Sequence, residues 1–251
     1  MKIALKFAYN GKEYNGYARQ PQQKTVEGEI IKSLIHNRFI EDTDDSNFRS
    51  ASRTDKGASA LGNVIAFTTD VYPQNILELL NDDLQDIIFY GFNEVKFDFY
   101  PRYAVQRRYR YYLRDNKFNI NKIKAATIAF AGEYDFSNFA RIEQHKDPIR
   151  SIENILIDFK KDFIIFDFFA QTFLWNQIRR IISALVKIGM EKIEKEQIIE
   201  ALQNPNNKVD FGLAPAEPLI LTDIIYDFEF KLENKFHRLL NDLEKNIILD
   251  F

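Results

Sequence analysis

The 251-residue chain contains no cysteine. Disulfide frameworks, zinc–cysteine sites, iron–sulfur clusters and thiol nucleophiles are thereby excluded. Its three histidines, His36, His145 and His237, stand apart without metal-ligand spacing, so a metal centre is not expected. The nine glycines form neither a phosphate loop ending in Lys-Ser/Thr nor a dinucleotide fingerprint. No apolar run of about 18 residues occurs, so no membrane-spanning helix is expected. Near the start, Lys12, Glu13 and Arg19 follow the first apolar stretch too closely for a signal segment, and a soluble cytoplasmic protein is expected. A charge excess is lacking too. The 34 Lys+Arg against 37 Asp+Glu give a net charge of −3, which by itself does not point to a polyanionic partner.

What is abundant is aromatic: 23 Phe, 12 Tyr and one Trp. Ile3, Leu5, Phe7 and Tyr9 alternate with Ala4, Lys6 and Ala8, which predicts a strand with one buried face. A turn follows at Asn10-Gly11. Thr25 caps a helix to about Arg38, and Pro73 opens a second. Strands are expected at Val64–Thr68, Ile87–Phe99 and Arg107–Leu113. The same rhythm recurs in the second half. Helices are expected at 121–130, 174–188 and 195–202, and strands at 152–157, 163–170 and 219–230. Strand-helix-strand units in both halves indicate an α+β fold. The expected division lies near Leu113–Asn121, giving segments 1–115 and 116–230 and an amphipathic helical tail, 231–251.

Three constellations carry candidate chemistry. The stretch Arg49–Asn63 is poor in large apolar residues and holds one carboxylate, Asp55, among Arg49, Arg53 and Lys56. Cations beside a carboxylate favour its ionised form, which suits a nucleophile or a base. The plainer alternative is a polar loop with an Asx-turn. Second, Tyr100–Arg114 contains five Arg and five Tyr and no acid. Alternation puts Arg108 and Arg110 on one strand face and Tyr109 and Tyr111 on the other. Interleaved Arg and Tyr suit phosphate contact and base stacking; a solvated edge strand is the alternative. Third, Arg179 and Arg180 sit early in a predicted helix, where the dipole disfavours cations. Such arginines meet an acidic partner or an anionic ligand, or extend into solvent.

In combination and order these stretches resemble the tRNA pseudouridine synthase A (TruA-like) family, from about Ile3 to Phe230. Leu5–Gly11 with Tyr14–Gln20 is similar to the family's first strand and loop, and Thr25–Glu29 to its first helix start. Ser52–Ala60 is similar to its active-site loop, Arg107–Tyr111 to its Arg-Tyr strand, Asp135–Phe139 to its Asp-Phe-x-x-Phe segment, and Ile178-Arg179 to its arginine helix. The resemblance implies two ferredoxin-like (RRM-like) halves sharing one continuous, mostly antiparallel sheet, with the active cleft between them. It implies isomerisation of uridine to pseudouridine in the tRNA anticodon arm, at positions 38–40, with no cofactor or metal. tRNA is the implied partner, and a homodimer the implied assembly. Asp55 is then the catalytic carboxylate and Arg179 its ion-pair partner. Tyr109 stacks on the flipped uracil, and Arg53 fills the vacated stack or holds a phosphate. Arg102, Arg107, Arg108 and Arg110 are further candidates for backbone contact. A non-catalytic RNA-binding module, a synthase acting on other tRNA or RNA uridines, and a small-molecule enzyme using Asp55 as a base stay open alternatives.

The charge count fits an RNA partner once it is divided. Residues 223–251 carry seven acids and four bases, so the other 222 residues are neutral and contain a local stripe of five arginines.

Overall fold

A computed structural model describes residues 1–160, 162–249 and 251. Lys161, and Asp250 of the acidic tail, lie outside the described residues. In chain order the elements are β1 (Lys2–Tyr9), α1 (Val26–His36), β2 (Arg49–Ser50), β3 (Ser59–Thr68), α2 (Pro73–Asp83), β4 (Ile87–Val95), β5 (Gln106–Arg114) and α3 (Ile120–Thr127). They continue as β6 (Gly132–Asp135), β7 (Ile149–Ile152), β8 (Asn154–Lys160), β9 (Phe163–Ala170), α4 (Gln177–Gly189), α5 (Lys195–Gln203), β10 (Leu219–Ile225), β11 (Lys231–Leu232) and α6 (His237–Leu249). Strand pairings are mostly antiparallel, and the fold is of mixed α+β type. No helix among the described residues is long and apolar enough to cross a membrane.

The chain forms two compact units, Met1–Val105 with Ile220–Phe251, and Gln106–Leu219. The division thus falls before β5 rather than near residue 115. The reason is pairing: β5 runs antiparallel to β9 from Arg107↔Ala170 to Arg114↔Phe163. The segment after Leu219 returns to the first unit instead of closing the second.

In the first unit β1 lies between β3 and β4, antiparallel to both. β2 pairs antiparallel with β3, β11 pairs antiparallel with β4, and β10 joins β3 in parallel at Ile220↔Ser59 and Leu221↔Ala60. Ile3, Leu5, Phe7 and Tyr9 are fully buried, but so are Ala4 and Ala8. β1 therefore has two buried faces where alternation predicts one. The tail helix α6 packs against β1, β3 and β4, and the small Ala side chains allow that approach. Lys2 is buried on the same strand and donates Nζ to Phe97 O at 3.0 Å and Phe99 O at 2.8 Å. Burial pushes its pKa down, and Arg49 pushes the same way. Lys6 pairs with Asp223 at 2.5 Å. The expected long strand 219–230 stops at Ile225; beyond it Tyr226 stacks on Phe228 at 5.3 Å, and Phe228 meets Phe230 at a tilt of 59° and 5.2 Å.

In the second unit the strand order is β5-β9-β8, so β9, apolar on both faces, is central as its sequence predicts. α4 buries Ile181, Ile182 and Leu185. A Cβ on Gly189 would lie 2.7 Å from Ile123 Cδ1, which shows how closely α4 crosses α3. β6 pairs with β7 from Gly132↔Ile152 to Asp135↔Ile149, in a stretch whose sequence reads as a turn followed by alternating aromatics.

Candidate active site

Asp55 lies half-buried in the loop between β2 and β3, with Arg53 and Lys56 exposed on either side. The loop is held at both ends and from behind. Ala51 N donates to Val64 O at 2.9 Å, and Asn63 Nδ2 to Ser52 O at 3.0 Å. The Asp55 carbonyl accepts from Ala58 N at 3.1 Å. Tyr9 and Thr54 share a hydroxyl hydrogen bond of 2.8 Å, and Tyr17 N donates to Thr54 O at 3.3 Å. Gly11 N donates to Ser59 Oγ at 2.9 Å. Gly11 is glycine for a steric reason, because a Cβ there would lie 2.1 Å from the Ala58 carbonyl oxygen. Gly57 takes a φ of +88°, a left-handed turn that costs glycine little.

Behind the loop stands a second tier of hydrogen bonds. The fully buried Tyr17 hydroxyl donates to Ser50 Oγ at 2.9 Å, and Ser50 Oγ donates to Glu27 Oε1 at 2.7 Å. Burial raises the Tyr17 pKa well above the usual phenol value, and Glu27 adds to that. The phenol is therefore a neutral donor. Glu27 sits in the first turn of α1, where the dipole favours a carboxylate. Thr25 caps that helix by accepting from Gly28 N. Tyr9, Gly11, Tyr17, Glu27 and Ser50 were not legible as loop supports. Two glycines within residues 11–16 of a chain with nine are the one local sign.

β5 carries the arginines and tyrosines of the second unit, and they are not equivalent. Tyr109 is half-buried, with its ring edge-on to Phe173 at 5.3 Å. Arg110 makes a bidentate pair with Asp167, Nε to Oδ1 at 2.7 Å and Nη2 to Oδ2 at 2.9 Å, which holds its pKa above the ordinary guanidinium value. Arg107 is buried and donates Nη1 to Gln171 O at 2.5 Å. Arg108 is exposed, with Nε donating to Gln106 Oε1 at 2.8 Å. Arg102, in the first unit, is exposed on a turn closed by Tyr103 N to Tyr100 O at 2.9 Å. The strand thus divides its cations between internal pairing at 107 and 110 and exposure at 108.

Arg179 lies in the first turn of α4, which starts at Gln177 and not at Leu174. Asn176, at φ +63°, breaks the helix before it. Arg179 donates Nε to Ala214 O at 2.8 Å and Nη1 to Asn176 Oδ1 at 3.3 Å, while Ala214 N donates to Arg179 O at 3.2 Å. The adjoining Pro215 carbonyl accepts from Tyr111 OH at 3.2 Å. Burial raises the Tyr111 pKa, and the Arg179 charge opposes that rise. The Ala214-Pro215 segment therefore orients Arg179, a role with no sequence signature. The neighbouring Arg180 is committed to Asp210 at 3.0 Å. Among the described residues no group of three or more His, Asp or Glu is placed to hold a metal ion.

Known proteins match along the whole chain. A family model described as tRNA pseudouridine synthase matches residues 126–227. The chain is 44% identical over 230 residues to the tRNA pseudouridine synthase A of Thermococcus sibiricus, covering 90% of this chain and 85% of that protein. Identity to the Pyrococcus furiosus protein of the same name is 39% over 267 residues, with 100% and 98% covered. For that of Methanothermobacter thermautotrophicus it is 35% over 250 residues, with 97% and 89% covered.

Proposed function

We infer the function from one premise: the chain belongs to the tRNA pseudouridine synthase A family. It is an isomerase that converts uridine to pseudouridine in tRNA, with the uridines of the anticodon arm, positions 38–40, as its targets. The observation that carries the catalytic assignment is the Asp55 loop. A half-buried carboxylate stands on backbone restrained by Tyr9, Gly11 and Tyr17, next to exposed Arg53 and Lys56.

In the reaction the C1′–N1 bond breaks, the uracil turns, and a C5–C1′ bond forms. N1 gains a proton and C5 loses one, so the composition is unchanged. A stacked base cannot reach a side chain, so the nucleotide leaves the stack first. Asp55 acts on the flipped nucleotide. Arg179 and Tyr109 hold the flipped nucleotide, Tyr109 by stacking on the uracil. Arg53 occupies the vacated space or holds a phosphate. Arg102 and Arg108 are backbone contacts, which set register and not sequence. The internal hydrogen bonds of Arg107 and Arg110 make these two the weaker contacts.

Ferredoxin-like halves belong to the same proposal. Its support in the first unit is the β-α-β-β-α-β order of β1 to β4, with β4-β1-β3-β2 neighbours all antiparallel. A homodimer is the proposed assembly, and sedimentation equilibrium tests it. For the activity, the test is incubation with unmodified tRNA followed by carbodiimide mapping. Stops at uridines of the anticodon arm are expected, and an unmodified transcript would refute the assignment.

A further inference from the structure

The one tryptophan of the chain, Trp175, lies outside every role assigned so far. It is 42% exposed, although indole is a large apolar surface whose burial would stabilise the fold. Its position is nonetheless fixed. Arg141 N donates to Trp175 O at 2.8 Å in an isolated antiparallel bridge. The exposed Arg141 guanidinium lies 4.0 Å from the indole centroid. On the other side, Gln177 is buried, accepts from Leu174 N through Oε1 at 2.8 Å, and donates its own N–H to Leu174 O at 3.1 Å. The buried Nε2 of Gln177 has no acceptor among the described residues. Asn176, between Trp175 and Gln177, takes φ +63°, a left-handed conformation that asparagine tolerates, and it turns the chain into α4.

The same short segment reaches two residues of the proposed site. Two positions before Trp175, Phe173 packs edge-on against Tyr109 at 5.3 Å. One position after it, Asn176 Oδ1 accepts from Arg179 Nη1 at 3.3 Å. An exposed indole on anchored backbone, with a guanidinium stacked over one face, leaves its remaining exposed surface for a base to stack on. The geometry points to Trp175 and Arg141 as the site where a second nucleobase of the tRNA, next to the target uridine, stacks during the reaction. This rests on the functional assignment above and adds to it a base-holding surface beside Tyr109.

Because tryptophan occurs once, its emission reports this position alone. The wild-type protein is titrated with unmodified tRNA while pseudouridine formation is followed in the same sample. Emission and acrylamide accessibility of Trp175 are expected to fall together as tRNA binds. Unchanged emission and accessibility in a sample that binds tRNA and forms pseudouridine would overturn the stacking inference and leave the function intact. A sample that neither binds nor modifies tRNA overturns both. As a second measurement, Trp175→Ala is expected to bind tRNA about 10-fold more weakly, with Trp175→Phe retaining most of the affinity. Wild-type affinity in Trp175→Ala would overturn the inference.

Discussion

Replacing Gly11 by alanine perturbs the Asp55 loop while leaving every proposed catalytic side chain chemically unchanged. The added Cβ would lie 2.1 Å from Ala58 O, 2.5 Å from Ala58 C and 3.0 Å from Gly57 C, all of them backbone atoms. No side chain can rotate away to relieve that overlap. Carbon contacts are comfortable at about 3.5 Å, so the loop must move by roughly 1 Å. Ala58 N is hydrogen-bonded to Asp55 O, which passes the displacement directly to the carboxylate residue. A misplacement of about 1 Å costs on the order of 100-fold in rate, or ~2.7 kcal/mol. Overpacking itself destabilises by about 1–3 kcal/mol, and each kcal/mol lowers Tm by roughly 2–4 °C at this size. Single-turnover pseudouridine formation, run well below Tm and with tRNA binding measured in parallel, separates the two effects. The expected result is a rate loss of about two orders of magnitude with binding retained. A wild-type rate with an unchanged Tm would refute the claim that backbone contact between Gly11 and Ala58 positions Asp55.

Tyr17→Phe removes the buried donor to Ser50 Oγ and should cost about 1–2 kcal/mol of stability, read by thermal denaturation. Arg108→Ala should lower the slope of log K against log salt by about 0.7–0.9, whereas the charge-neutral double replacement Arg110→Gln with Asp167→Asn should leave it unchanged, since Arg110 is engaged by Asp167. Equal slopes for the two variants would contradict the division of cations along β5. Tyr109→Phe should retain tRNA affinity, because the ring that packs on Phe173 is preserved; a loss of rate at constant affinity would assign the hydroxyl to proton transfer.

The sequence was most informative where one local rule dominates. Thr25 and Pro73 mark helix starts because capping and proline geometry are local effects, and both starts stand where expected. Apolar spacing identified α4 and the central strand β9 for the same reason. Errors arise where distant residues decide. The second buried face of β1 depends on α6, more than 200 residues away. The unit boundary depends on β5 choosing β9. The Arg-Tyr stripe was legible as a stripe, but nothing local distinguishes Arg110, paired with Asp167, from exposed Arg108. Asp55 stood out as the one acid in a basic loop. Its supports, Tyr9, Gly11 and the Tyr17–Ser50–Glu27 relay, are long-range contacts that no local pattern announces.

The central claim is that the Asp55 carboxylate performs the isomerisation, and Asp55→Asn tests it most directly. Asparagine keeps the size and shape of the side chain and removes its charge. Carbodiimide mapping of unmodified tRNA incubated with each protein should show pseudouridine with the wild type and none with the variant, at equal tRNA affinity. Pseudouridine formed by Asp55→Asn at the wild-type rate would contradict it.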